Sequence, residues 1–311
     1  MIRKSILGIL AFSFLFTACD EVEFPFEGQV DSACEGLDSP FFEGNQTLDP
    51  EQQKATRRVL IMDFTGHRCA GCPAAALEAN NIATDYEGEV FVLGVHPDIP
   101  SLTAPAESAE EPGDAYFTEW RTPEGTNYES IYDIPGALPL GVVSGKSANG
   151  NFWLQWASWR STTEPLLVED RLIEVELELD YNESTRGLQA SGEVSFLAPS
   201  DGTYSLILAV VENNIVDWQK NGSSGAPSDP NFPGGDIPNY VHKHVLRKHI
   251  NGLGGTELNT GTPAIQGDVY SYCEAGIIDQ EFNIDEVSIY AFVYDISTLE
   301  ILDVIEKKII E

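Results

Sequence analysis

Apolar positions follow several distinct rhythms along the chain, and each predicts a different kind of element. An apolar run, Ile6–Phe16, comes first, and residues 20–50 then show no clear period. From Val59 the pattern becomes two short solid blocks, Val59–Phe64 and Val90–Val95, which read as buried strands. Between them, Ala74 to about Tyr86 is rich in helix formers, with Leu77 and Ile82 expected to face inward. Phe152, Trp153, Trp156 and Trp159 predict a packed helix face, and Pro165 a boundary after it. Beyond Pro165 the period drops to two. Ile173–Leu179 alternates, which sets Glu174, Glu176 and Glu178 on one wet face. Further strands are expected over Ala190–Leu197, Tyr204–Glu212, Val287–Asp295 and Glu300–Ile305. Turn formers such as Asn182-Glu183-Ser184 and Pro199-Ser200-Asp201-Gly202 separate them.

Strand, helix and strand followed by antiparallel strands predict an α/β domain and then an all-β, immunoglobulin-like sandwich. The expected division is a leader over 1–18, an acidic flexible tether over 19–54, the α/β domain over 55–164 and the sandwich over 165–311. Residues 213–272 are expected to be a long loop insertion in the sandwich. The strands are too few for a transmembrane barrel.

Charge narrows the partners. The 311 residues carry 50 acidic and 17 basic side chains, a formal charge of −33. Nucleic acid is excluded as a partner, because phosphate binding needs clustered Lys and Arg. Docking on anionic lipid through a basic face is excluded for the same reason. Aromatic residues at 10% and charged residues at only 22% set the chain apart from disordered acidic tails. The charge therefore belongs to a folded surface.

Arg3 and Lys4, the apolar run and the small residues before Cys19 form a secretory signal too short to span a bilayer comfortably. Leu15-Phe16-Thr17-Ala18-Cys19 resembles a bacterial lipobox, which implies cleavage before Cys19 and an acyl anchor, palmitate among its chains, on that residue. Membrane contact is then through the lipid alone. The following Asp20-Glu21-Val22-Glu23 resembles the export signal of Bacteroidetes lipoproteins bound for the outer leaflet; the alternative is a solvated spacer.

The candidate chemistry starts at His67-Arg68-Cys69-Ala70-Gly71-Cys72-Pro73, between the first strand and the helix. A Cys-x-x-Cys at a helix N-terminus gains thiolate character from unpaired N–H groups and the helix dipole. Cys69, the more exposed by position, is the expected attacking sulfur and Cys72 the resolving one. Arg68, and His67 when protonated, are expected to lower the thiol pKa further. Structural zinc needs four ligands, and the remaining Cys34 and Cys273 are isolated, so no metal or other cofactor is expected. A permanent, redox-inert disulfide between Cys69 and Cys72 stays open, and Cys34 and Cys273 can pair with each other. His242 and His244 would share one strand face, either as metal ligands or as packing histidines.

This stretch resembles thioredoxin-like proteins. Asp63-Phe64 stands six and five residues before Cys69, as the Asp-Phe pair does in that family. The resemblance implies that Asp63 is a buried carboxylate moving the proton of the resolving cysteine. It also implies a cis-proline against the dithiol just before a strand; within Tyr132–Val143 that is Pro139, with Pro135 the alternative. The chain departs from the pattern in lacking a Trp before Cys69, in Ala70-Gly71, and in an insertion over Pro97–Ser130.

With the lipobox, Asp63–Pro73, Gly136–Val143 and Tyr240–Arg247 together, the chain resembles the 28-kDa outer-membrane-protein family of Bacteroidetes lipoproteins. That resemblance implies a thioredoxin-like domain and a β-rich domain on the outer membrane. Two functions follow as expectations. One is thiol-disulfide exchange with protein thiols or disulfides. The other is a non-enzymatic surface lipoprotein binding an extracellular protein or glycan.

Overall fold

The solid apolar blocks are solid because their sheet is covered on both faces. The computed structural model describes residues 34, 39–48, 55–147, 150–222 and 235–310. The leader, Cys19 and the acidic Asp20–Glu23 run lie outside the described residues. In chain order the elements begin with β1 (Phe41–Asn45), β2 (Val59–Phe64), α1 (Cys72–Asp85) and β3 (Val90–Val95). The single turn α2 (Pro100–Thr103), α3 (Pro123–Ile131), β4 (Leu140–Val143), β5 (Trp153–Leu154) and α4 (Trp159–Leu166) follow. Strands then dominate: β6 (Ile173–Val175), β7 (Glu178–Asn182), β8 (Gly187–Phe196), β9 (Tyr204–Glu212), β10 (Ile215–Gln219) and β11 (Ile237–His242). The last are β12 (Val245–His249), β13 (Thr256–Glu257), β14 (Asp268–Ile277), β15 (Val287–Asp295) and β16 (Ile301–Lys308).

A nine-stranded sheet runs β16-β15-β9-β12-β3-β2-β4-β5, with β13 also paired to β9. β2 and β3 are parallel, as the helix between them requires, and β4 is antiparallel to β2. β12 joins β3 in parallel and β9 antiparallel. A second sheet runs β1-β14-β8-β6, with β7 also on β8, while β10 and β11 form an antiparallel pair of their own.

The cores follow from strand alternation. Val59 and Ile61 pack with Ala75, Ala79 and Ile82 of α1 and Trp159 of α4. Leu60, Met62 and Phe64 share a core with Tyr128, Ile207, Ala209, Tyr290 and Phe292. The opposite faces of β9 and β15, through Leu208, Val210, Ile289 and Ala291, pack with Val194 and Phe196 of the second sheet. Arg57, buried at the start of β2, pairs with Glu169 at 3.0 Å and Glu300 at 2.7 Å. Its neighbour Arg58 pairs with the buried Asp303 of β16.

Several expectations change. The nine-stranded sheet takes strands from both sides of the expected boundary at residues 164 and 165, so the chain does not divide there into separate sheets. Residues 213–272 are not a loop: they supply β10 to β13, the start of β14, and the strand that joins the two halves. Phe41–Asn45, expected in the tether, is a strand on β14, where aromatic side chains suit a pleated surface. Leu77 is 46% exposed, because the buried stripe of α1 is Ala75, Ala79 and Ile82 and position 77 falls off it. The aromatic segment starts as β5, only Trp159 enters α4, and Pro165 lies inside that helix. The Ile173–Leu179 strand divides into β6 and β7, with Glu174 paired to Arg171 and Glu178 to Lys307.

Gly141 of β4 shows how tightly α4 is seated. A Cβ there would stand 2.2 Å from Trp159 Cε2. Gly141→Ala is expected to lower stability by about 1–3 kcal/mol, the usual range for overpacking a core. Urea unfolding followed by circular dichroism measures this; an unchanged midpoint would mean that α4 moves away freely.

Candidate functional site

β2 leads directly into the dithiol turn. The Thr65 N–H donates to Val95 O at 2.9 Å, which holds the chain on the sheet beyond Phe64. The Cys69 N–H donates to Gly66 O at 3.0 Å and the Cys72 N–H to Cys69 O at 3.3 Å, which closes the turn. α1 starts at Cys72 itself, one residue after its N-cap Gly71. Cys72 is therefore the first helical residue, beside the unpaired N–H groups of the helix start. The two sulfurs are bonded, with the Cα atoms 5.5 Å apart. The Leu138–Pro139 peptide is cis, and Pro139 Cδ lies 3.3 Å from the position a Cβ would take on Gly71. The turn thus packs on Pro139.

Asp63 belongs to the middle of the sheet, between Gly94 of β3 and Gly141 of β4. Its carboxylate is buried, and Oδ1 has no hydrogen-bond partner among the described residues. Desolvation pushes its pKa up to about 8. Asp63 and Cys72 line one cavity of about 30 Å³ together with His96, Gln219, Tyr240 and His242.

The expected exposure of Cys69 is corrected. Cys69 is 2% exposed and Cys72 1%. The cover comes from the end of β10 and the residues after it. Gln219 Nε2 donates to Gly66 O at 3.2 Å and Cys69 O at 3.0 Å. The Lys220 N–H donates to His67 O and the Gly222 N–H to Ala70 O, both at 2.7 Å.

His67 is corrected as well. Its ring is buried, with Nε2 3.0 Å from Ala104 O and an edge contact to Tyr116. Burial lowers its pKa below the ordinary histidine value, so it adds no charge beside Cys69 near neutral pH. Arg68 remains the local cation, its Nη1 donating to Ala104 O at 3.3 Å.

His242 and His244 do not share a face. His244 has φ +56° between β11 and β12, which breaks the alternation. His242 turns toward the cavity, and Trp120 packs on its ring at 4.7 Å. His244 lines the same cavity beside Asn80, and its ring contacts Asn80 Oδ1 and Tyr290 OH, each at 3.3 Å. No group of three His, Cys, Asp or Glu side chains could hold a metal among the described residues. His96 and Trp120 escaped the sequence reading, although they stack at 5.3 Å beside the dithiol. The available signal was that His96 directly follows β3, at the carboxyl edge where parallel sheets gather functional groups. Away from this site, Cys34 is bonded to Cys273 of β14, with Cα atoms 5.4 Å apart.

Fold and site define a β-rich protein with open sheets and a covered dithiol beside a buried carboxylate. A family model of outer membrane protein Omp28 matches residues 128–311. The chain belongs to the Omp28 family and is an outer membrane protein. The matched residues include Pro139, β10 to β12 and Cys273, and begin after the dithiol. The domain of outer membrane lipoprotein Omp28 from Porphyromonas gingivalis is 21% identical, with a TM-score of 0.29, covering 45% of this chain and 88% of that one. A protein of Agrobacterium tumefaciens is 11% identical, with a TM-score of 0.47, covering 82% of this chain and 96% of that one. No curated protein matches the chain significantly.

Proposed function

We propose that this outer membrane protein is a thioredoxin-like thiol-disulfide exchanger, tethered through acylated Cys19 and facing the cell exterior. The observation that carries the reading is Asp63, a buried carboxylate whose pKa lies about 8, lining the cavity of Cys72. A carboxyl that titrates near neutral pH can take or return the proton of a thiol. The β2-α1-β3 order, the antiparallel β4 and Pro139 against the turn add support. In this reading Cys69 attacks a protein disulfide, Cys72 resolves the mixed disulfide and Pro139 shapes the groove.

The cover over Cys69 favours a second reading. Here the disulfide is permanent and the protein is a surface lipoprotein binding an extracellular protein or glycan. The reduction potential and a trapping variant separate the two. For the exchanger, the potential lies well above about −300 mV, the region of structural disulfides. Cys72→Ser then accumulates a mixed disulfide on Cys69 when offered a disulfide-bonded peptide. A potential below that region, with no adduct, leaves the binding reading standing.

A further inference from the structure

Asp63, Cys72, His96 and His242 meet at the cavity beneath the β10–β11 hairpin, and the two histidines have no role in the exchange described above. His96 is buried, and neither ring nitrogen has a hydrogen-bond partner among the described residues. His242 is buried, and its Nε2 has no partner either. Asp63 Oδ1 is the fourth such atom, and Cys72 lines the same cavity. Unpartnered buried polar atoms are uncommon in folded proteins, and several around one cavity point to something that bridges them. About 30 Å³ is room for a single water. The cavity reaches the surface past the exposed Val241 and Lys243, which also line it. Trp120 fixes the pair from one side, stacking on His96 at 5.3 Å and packing on His242 at 4.7 Å.

We propose that His96 and His242 are positioning residues that carry the Cys72 proton between Asp63 and solvent through a water in this cavity. The inference rests on the exchange reading and deepens it. With the dithiol reduced, the Cys69 thiolate attacks a substrate disulfide; a mixed disulfide forms and the first substrate sulfur leaves as thiolate. The Asp63 carboxylate then takes the proton from Cys72 Sγ. Cys72 attacks Cys69 Sγ, the protein disulfide forms and the second substrate sulfur leaves. Two electrons pass to the substrate. The proton passes from Asp63 to the water, then to an imidazole, then to bulk solvent, where the released thiolates take up protons. A small thiol such as glutathione returns the dithiol by the reverse exchange.

Both imidazoles are held neutral at about pH 7, and burial makes them weaker bases than exposed histidines, so each holds the proton only in passing. Burial takes His242 down to about 4 and His96 well below the ordinary value. The groups acting on them are also on the page. His67 and Arg247 face His96, Asp217 and His67 face His242, and Tyr240 faces Asp63.

The test uses reduced full chain and oxidised glutathione, and follows release of the second glutathione, the resolving step, from pH 6 to 9. His242→Gln and His96→Gln are each expected to slow that step about a hundredfold at low buffer concentration, the low end for one proton-transfer group. Added 4-methylimidazole restores the rate, which a purely structural defect would not allow. In an Asp63→Asn background, His242→Gln slows resolution no further. Wild-type protein supplies a reading that no folding defect can obscure: its rate bows downward against deuterium content when several protons move. Wild-type rates in both histidine variants, or a straight deuterium plot, overturn the relay while leaving exchange intact. A wild-type protein that forms no glutathione adduct overturns the exchange reading, and the relay with it.

Discussion

Asp63→Asn raises stability at pH 8 relative to the wild type and removes the loss that the wild type suffers on the alkaline side. The sign follows from the direction of the shift. The folded carboxyl titrates at about 8, far above its unfolded value, so the folded state holds the proton more tightly. Stability from this group is complete below about pH 4 and falls away as pH rises through about 8. At about 1.4 kcal/mol per pKa unit, the whole loss is at most on the order of 5 kcal/mol. Asn is neutral throughout and has no such loss. The buried histidines act at the other end of the scale: desolvation takes His242, His244 and His249 each to about 4. Stability from neutral imidazoles is present above pH 6.5 and is lost as pH falls toward 4. Thermal melts of both proteins from pH 4 to 9 separate these contributions, since the histidines cancel in the difference. The two curves are expected to diverge steadily from about pH 4 to about pH 8 and to run parallel above that. Curves parallel over the whole range would mean that Asp63 is not desolvated as its burial implies. Exchange, where it occurs, should slow in the same variant, a trade of stability for reactivity common at functional sites.

The parts of this fold legible in the sequence are those whose burial is written locally. Tyr204–Glu212 and Val287–Asp295 were expected as strands and form β9 and β15 over those same residues, because they are apolar enough to be covered on both sides. β12 was not legible. Its sequence, Val245-Leu246-Arg247-Lys248-His249, is half polar, and its place is set by partners far away in the chain. The site divides the same way. Cys69, Cys72, Asp63 and Pro139 could be named because turn, helix start and spacing are local properties. The burial of Cys69 could not, because the Gln219 side chain that covers it is 150 positions away. The charge expected of His67 failed for the same reason, as its environment is built by Ala104 and Tyr116.

Loosening the hairpin should uncover the attacking sulfur. Gln219 Nε2 donates to Gly66 O, Cys69 O and Lys220 O, so one buried amide ties the end of β10 to the dithiol turn. Gln219→Ala removes those bonds and strands the carbonyls, at a cost of about 1–3 kcal/mol. If that cost falls on the closed state alone, opening becomes about 5- to 150-fold more frequent, since each 1.4 kcal/mol is a factor of ten. Alkylation of Cys69 by iodoacetamide in the reduced full chain should accelerate by the same factor, read by mass spectrometry of the labelled peptide. Gly222→Val tests the same cover from its other end, where a Cβ would stand 2.9 Å from Ala70 O. This variant leaves the Gln219 amide in place and should accelerate labelling as well. Equal labelling in wild type and both variants would mean that Cys69 is reached by another route. Acceleration in both would make hairpin opening, rather than thiol chemistry, the step that limits access to the dithiol. The fully covered site and a reactive dithiol would then be two states of one protein, separated by the bonds of residues 219–222.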